Sequence, residues 1–181
     1  LYGCTFALLS HGLPRYGVEV TFVDTQDLEA FQKALRPNTS LVYLETPANT
    51  NLKITDLKKI SAIAHAHNAA ITVMCDNTFA SPYLQQPLAL GCDVVVHSMT
   101  KYLNGHGDTL GGCILGCTEL IDTIKEQALV NFGVVISPLS AWLVARGMAT
   151  LPLRMRQPRD RALPVADMPG DHPGVRLAPP P

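Results

Sequence analysis

Three side chains in this sequence could together do chemistry that none could do alone: Lys101, Asp76 and Tyr2. Lys101 lies in Asp93 to Asp108, DVVVHSMTKYLNGHGD, where a β-branched apolar run reads as an interior parallel strand and Gly105-His106-Gly107-Asp108 reads as a loop. The lysine is therefore expected just past the carboxyl end of a strand, where open α/β sheets bind their ligands. Ser98 and Thr100 flank it. Two hydroxyls that donate to phosphate oxygens beside an amine that forms a Schiff base would make a cradle for a phosphorylated aldehyde. A solvated lysine among turn-forming hydroxyl residues is the competing reading of so short a motif.

Asp76 ends a second apolar run, Ala69 to Cys75. A carboxylate at a buried strand end needs a cation or donors close by. It could face the protonated nitrogen of a pyridine ring and maintain it as an electron sink, or it could simply cap a following helix. Between Asp76 and Lys101 lie a turn, a short helical stretch near Tyr83 to Leu90 and the next strand, the length a crossover between neighbouring parallel strands needs. Both groups are thus expected on one edge of one sheet.

Four segments in one order resemble the Cys/Met-metabolism group of pyridoxal phosphate enzymes. They are Tyr2-Gly3-Cys4-Thr5; Glu45-Thr46-Pro47-Ala48-Asn49; Asp76-Asn77-Thr78-Phe79 with Ser81-Pro82-Tyr83; and Val95 to Tyr102 continuing through Gly105 to Asp108. The resemblance covers roughly residues 1 to 155. It implies an α/β fold of the aspartate-aminotransferase-like type (fold type I), a mostly parallel sheet with helices on both faces. It also implies pyridoxal 5'-phosphate as cofactor, with Lys101 as Schiff-base lysine, Asp76 at the ring nitrogen, Asn49 at the ring hydroxyl, and Ser98 and Thr100 at the phosphate. Tyr2 would stack on the ring and donate a proton to the leaving group, although a core tyrosine is the plainer reading of the residue itself. The same resemblance implies an elimination on a small sulfur amino acid. Lys101 would remove the α-proton, a second proton would leave the β-carbon, and the γ-thiolate would depart. For L-methionine the products would be methanethiol, 2-oxobutanoate and ammonia.

Cys4 is the feature that favours L-methionine over cystathionine, whose enzymes usually carry Gly or Pro there. Thr50 follows Asn49 where the family usually has Pro, so the loop is expected to be less rigid, and Asn49 could be an ordinary turn residue. A catalytically silent α/β piece is the reading from another class, because the family's phosphate-capping amino-terminal loop and its late carboxylate-binding arginine are not in this sequence. The family's active sites are shared between subunits, which implies a homo-oligomer, a dimer of dimers.

The elements that must position these groups follow from periodicity. Gly17 to Asp24 and Ser40 to Glu45 read as strands, and Thr25 to Leu35 as a helix with Leu28, Phe31 and Leu35 on one face. Thr55-Asp56 caps a helix to about His67 whose buried stripe is Leu57, Ile60, Ile63 and Ala64. Leu110 to Gly116 reads as a strand returning into the sheet, and Glu119 to Gln127 and Ser137 to Leu151 as helices. Residues 152–181 carry prolines at 152, 158, 164, 169, 173 and 179 to 181, which predicts a disordered tail after a cofactor-domain portion spanning 1–151. The abrupt start at Leu1-Tyr2 reads as the interior of a longer enzyme.

With 181 residues and a mean hydropathy of +0.15, the chain can bury one sizeable core. A net charge of −1 without a basic cluster before the tail points away from nucleic acid and anionic membranes. Apolar runs are far too short to span a bilayer and no signal segment opens the chain, so a soluble cytoplasmic protein is expected. The five cysteines, Cys4, Cys75, Cys92, Cys113 and Cys117, read as reduced core residues. Neither they nor His65, His67 and His106 have metal-ligand spacing, and no metal is expected.

Overall fold

The computed structural model describes residues 1–49 and 51–167. The chain opens with α1 (Gly3–Ala7), a π-helical turn and a 3-10 turn, then runs extended to α2 (Leu28–Ala34). It continues through β1 (Leu41–Glu45), α3 (Leu57–His67), β2 (Thr72–Asp76), α4 (Ser81–Leu84), β3 (Val94–Ser98) and β4 (Gly112–Gly116). The remaining helices are α5 (Thr118–Ile124), α6 (Val130–Phe132), α7 (Pro138–Met148) and α8 (Leu151–Asp167).

Among the described residues the sheet has the order β1-β2-β3-β4, with β1, β2 and β3 parallel and β4 antiparallel to β3. The mostly parallel α/β sheet expected from the sequence is therefore present, and its register aligns Glu45 with Asp76 and Asp76 with Val96. In-register residues of neighbouring strands point to the same face. Leu44 and Cys75 turn into the core, while Tyr43, Glu45 and Asp76 turn to the other face.

The core is where α2 and α3 meet the sheet. Phe31, Leu57, Ile60 and Ala64 pack on Val42, Leu44, Val73 and Cys75, and Ile63 joins them partly buried. Capping defines both helices: the Asp27 carboxylate accepts from the Ala30 amide at 2.9 Å, and Asp56 accepts from the Lys59 amide at 3.1 Å. Truncating the fully buried Ile60 to alanine removes about 2–5 kcal/mol. Cys75 and Cys92 are core residues and Cys113 is half-buried, whereas Cys4 and Cys117 are exposed, against the expectation that all five sit inside.

Two stretches differ from their periodicity. Residues 18–24 alternate like a strand but join no ladder. A cavity of about 810 Å³ separates them from β1, out of reach of backbone hydrogen bonds, and side chains hold them instead: Arg36 to Glu19 and Thr21, Lys53 to Asp24. The proline-rich stretch expected to be disordered is helical from Leu151 to Asp167, with Pro158 and Pro164 inside the helix. Pro152 sits in the first turn, where an amide would lack a partner in any case, and Leu151 and Met155 are buried against Leu103. Packing of Leu151 and Met155 thus anchors the first turns of this helix, whereas its described side chains from Arg156 onward are exposed. The rest of the expected tail, 168–181, and Thr50 lie outside the described residues.

Candidate active site

The apolar β-branched run of β3 ends at Ser98, and the chain turns at once: the Lys101 amide donates to the Ser98 carbonyl at 3.1 Å and the Asn104 amide to the Met99 carbonyl at 2.9 Å. Lys101 is exposed on that turn, beyond the carboxyl end of β3. One strand over, Asp76 closes β2. Its Oδ1 accepts from the Thr78 amide at 2.9 Å and its Oδ2 from the Tyr43 hydroxyl at 3.5 Å. Thr78 Oγ1 also accepts from the Ser98 amide at 2.8 Å, tying the Asp76 turn to the end of β3. Asp76 therefore bonds its own turn, not the first turn of α4, and the helix-capping reading does not hold.

These residues meet at one cavity of about 820 Å³. Tyr2, Asn49, Asp76, Ser98, Thr100 and Lys101 all line it, with Phe79, Tyr102 and Leu110 supplying apolar wall. Cys4 is not among the lining residues; its neighbouring thiol raises the pKa of the Tyr2 phenol. The Thr100 hydroxyl is engaged with Gly111, accepting from its amide at 3.0 Å and facing its carbonyl at 3.3 Å.

Burial pushes the Tyr43 phenol up, and the neighbouring Asp76 charge adds to this, so Tyr43 stays protonated and donates to the carboxylate. Burial holds His97 below the usual imidazole range, partly offset by Asp76 and a hydrogen bond to the Asn77 backbone. Among the described residues the Nδ1 of His97 is buried without a partner.

The Cys/Met metabolism PLP-dependent enzyme model matches residues 1–178, beyond the 1–155 that the motifs alone covered. This chain belongs to that family. It is 53% identical over 176 residues to the L-methionine gamma-lyase of Treponema denticola, covering 97% of this chain and 44% of the relative. It is 43% identical to the cystathionine gamma-lyase of Bacillus subtilis over 97% of this chain and 46% of the relative. The solved cystathionine gamma-lyase of Lactobacillus plantarum, complexed with L-serine, superposes with a TM-score of 0.92 at 41% identity, covering 98% of this chain and 46% of that one. The chain thus spans less than half the length of the relatives it matches.

The cofactor of this family is pyridoxal 5'-phosphate, and the residues present fit it. The cavity joins an amine, a carboxylate on a strand end, hydroxyls and an exposed aromatic ring, the donor set a phosphorylated pyridine aldehyde requires. Lys101 would carry it, Asp76 would meet the ring nitrogen, Tyr2 the ring face, Asn49 the ring hydroxyl, and Ser98 and Thr100 the phosphate.

Two lining residues carried no assignment in the sequence. Glu45, at the end of β1, accepts from the Tyr2 amide and from the Asn49 amide, each at 2.6 Å, and so draws two cavity residues 47 positions apart to one carboxylate. Its signal was present: like Asp76, it is an acid closing an apolar strand. Arg154, from α8, also lines the cavity. Nothing local marks its place in the cavity, because the Tyr102 and Leu103 carbonyls it bonds there lie about fifty residues away in the chain. Among the described residues no group of three or more His, Cys, Asp or Glu is placed to hold a metal, and no helix is long and apolar enough to cross a membrane.

Proposed function

We propose that this chain carries the cofactor-attachment and proton-transfer groups of a PLP-dependent carbon–sulfur lyase. The reaction is α,γ-elimination of L-methionine to methanethiol, 2-oxobutanoate and ammonia. The observation that carries this reading is the meeting of Lys101, Asp76, Tyr2 and Asn49, from four separate segments, at one cavity. Pyridoxal phosphate, when bound, supplies the electron sink for bond breaking at the substrate's α- and β-carbons.

Lys101 Nζ would be the attachment point and, when free, the base that takes the substrate's α-proton. Asp76, fixed by Thr78 and Tyr43, holds its charge toward the ring nitrogen. The Tyr2 phenol keeps its proton to higher pH because of Cys4, so it remains available to protonate the departing thiolate. Cys4 therefore acts on Tyr2 and not as a nucleophile.

L-Methionine is preferred over cystathionine on the strength of Cys4 and of the similarity to an L-methionine gamma-lyase. A soluble cytoplasmic homo-oligomer, a dimer of dimers, is the setting this reading implies, and sedimentation velocity checks its size. Borohydride trapping of the cofactor-loaded protein followed by peptide mapping should place the label on Lys101. A label on Lys58, Lys59 or Lys125 sinks the assignment. A catalytically silent protein would instead show no absorbance band of a lysine-bound cofactor after pyridoxal phosphate is added.

A further inference from the structure

The turn that displays Lys101 has bonds of its own and is also gripped from outside. Its backbone closures are Lys101 amide to Ser98 carbonyl at 3.1 Å, Asn104 amide to Met99 carbonyl at 2.9 Å and Gly105 amide to Lys101 carbonyl at 2.7 Å. Arg154 supplies the grip. Its Nη1 donates to the Tyr102 carbonyl at 2.7 Å, its Nη2 to the Gly147 carbonyl at 2.9 Å and to the Leu103 carbonyl at 3.5 Å, and its Nε to Thr150 Oγ1 at 2.9 Å. One planar guanidinium thus joins the residues directly after Lys101 to the end of α7 and the start of α8.

Independent features point to the same docking. A Cβ on Gly105, whose φ is +71°, would lie 2.0 Å from Arg154 Nη1, so only glycine leaves the guanidinium its place. A Cβ on Gly147 would lie 2.2 Å from the Asn104 carbonyl oxygen, so α7 meets the turn backbone to backbone. Beneath them, Leu103 is buried with Leu151 and Met155.

From this geometry we infer that Arg154 is a positioning residue for the reaction, acting through the Lys101 turn to set where the lysine Nζ stands in the cavity. The inference rests on the reading of Lys101 as the attachment site. Arg154 lines the same cavity, which invites the alternative that it receives a substrate carboxylate. Its bonds argue otherwise: four of the five N–H groups of a guanidinium are already committed to protein oxygens. A lysine at this position keeps the charge but cannot hold divergent acceptors in one plane.

The test compares wild type, Arg154→Lys and Arg154→Met as cofactor-loaded proteins, reading amide hydrogen exchange, kcat and KM together. Exchange of the Asn104 and Gly105 amides should quicken by roughly tenfold or more in both variants while that of Leu44 and Val73 is unchanged. A slight displacement of the lysine should lower kcat by about 10- to 100-fold with KM little altered, and Arg154→Lys should not restore it. If either variant fails to accumulate, Thr150→Val, which removes the Nε acceptor together with the hydroxyl's own bond to the Gly147 carbonyl, should give a smaller change in the same direction. Wild-type exchange and wild-type kcat with the borohydride label still on Lys101 overturn the Arg154 role alone. A raised KM at unchanged kcat also overturns it, in favour of carboxylate binding. A label on another lysine overturns both readings.

Discussion

The two sides of the cavity are held by different means. On the β1–β2 side, Asp76 is fixed by Thr78, two residues away, and by Tyr43 on the neighbouring strand, while Glu45 accepts from Asn49 four residues on. On the β3 side, the Lys101 turn depends on α7 and α8, with Arg154 reaching carbonyls 51 and 52 positions earlier in the chain. The carboxylate is thus built into the sheet, whereas the lysine sits on a piece clamped by distant helices. The difference suits the proposed roles, in which Asp76 would stay at one atom while Lys101 would be held near the cofactor and then released to move a proton.

The sharpest break in that comparison is Lys101→Ala, which removes both roles proposed for the lysine, attachment and proton transfer. Turnover should be lost, and the absorbance band of a lysine-bound cofactor should not form on adding pyridoxal phosphate. Measurable turnover above background would show that the β3 side does not carry the chemistry. Next is Asp76→Asn, which keeps shape and loses charge. We expect weaker cofactor binding and a fall in kcat of roughly 100- to 1000-fold, comparable to losing one preorganised electrostatic contact. Near-normal kcat would reduce Asp76 to the local turn it makes with Thr78.

Cys4→Gly should act more gently, since Cys4 touches Tyr2 and not the cavity. Methionine specificity relative to cystathionine should drop about tenfold with cofactor absorbance retained. Because Cys4 raises the Tyr2 phenol, the alkaline limb of the kcat profile should move to lower pH in the variant. An unchanged ratio of specificity constants and an unmoved limb would remove Cys4 from substrate choice.

The smallest effect belongs to His97, buried beneath the site. Its folded pKa is lowered, so the unfolded chain takes up its proton first as pH falls. Its contribution to stability is present above the unfolded value of about 6.5 and is lost as pH drops through the folded value. The stability difference between wild type and His97→Gln should therefore shift against wild type from pH 7.5 to 5.5. Equal shifts in both proteins would show that His97 does not titrate on unfolding.

Much of this was readable before any coordinates. Asp76, Lys101 and Ser98 announce themselves because each ends or follows an apolar β-branched run, and strand ends in a parallel sheet converge on one edge, whereas Asn49 was implied only by the family resemblance. Glu45 obeys the same rule and could have been named by it. Arg154 could not, since a guanidinium in a proline-rich stretch looks solvated until the turn it grips is folded against it. Residues 18–24 mislead in the opposite sense: alternation describes a chain that could enter a sheet, but a strand also needs a partner within hydrogen-bonding distance, and β1 lies across a cavity.

The sequence by itself determined the local terms: the runs that became β1, β2 and β3, where Asp27 and Asp56 start helices, and which side chains stand at the carboxyl ends of those strands. It determined the family as well, because four motifs in order are specific where any one is not. Tertiary structure alone decided that prolines 158 and 164 would lie inside a helix, that Glu45 would join Tyr2 to Asn49, and that Arg154 would hold the Lys101 turn. Local propensities act over a few residues and are written in neighbouring letters. Contacts across fifty residues are decided by which surfaces the packed chain brings face to face, as where Leu103 meets Leu151 and Met155 at the start of α8.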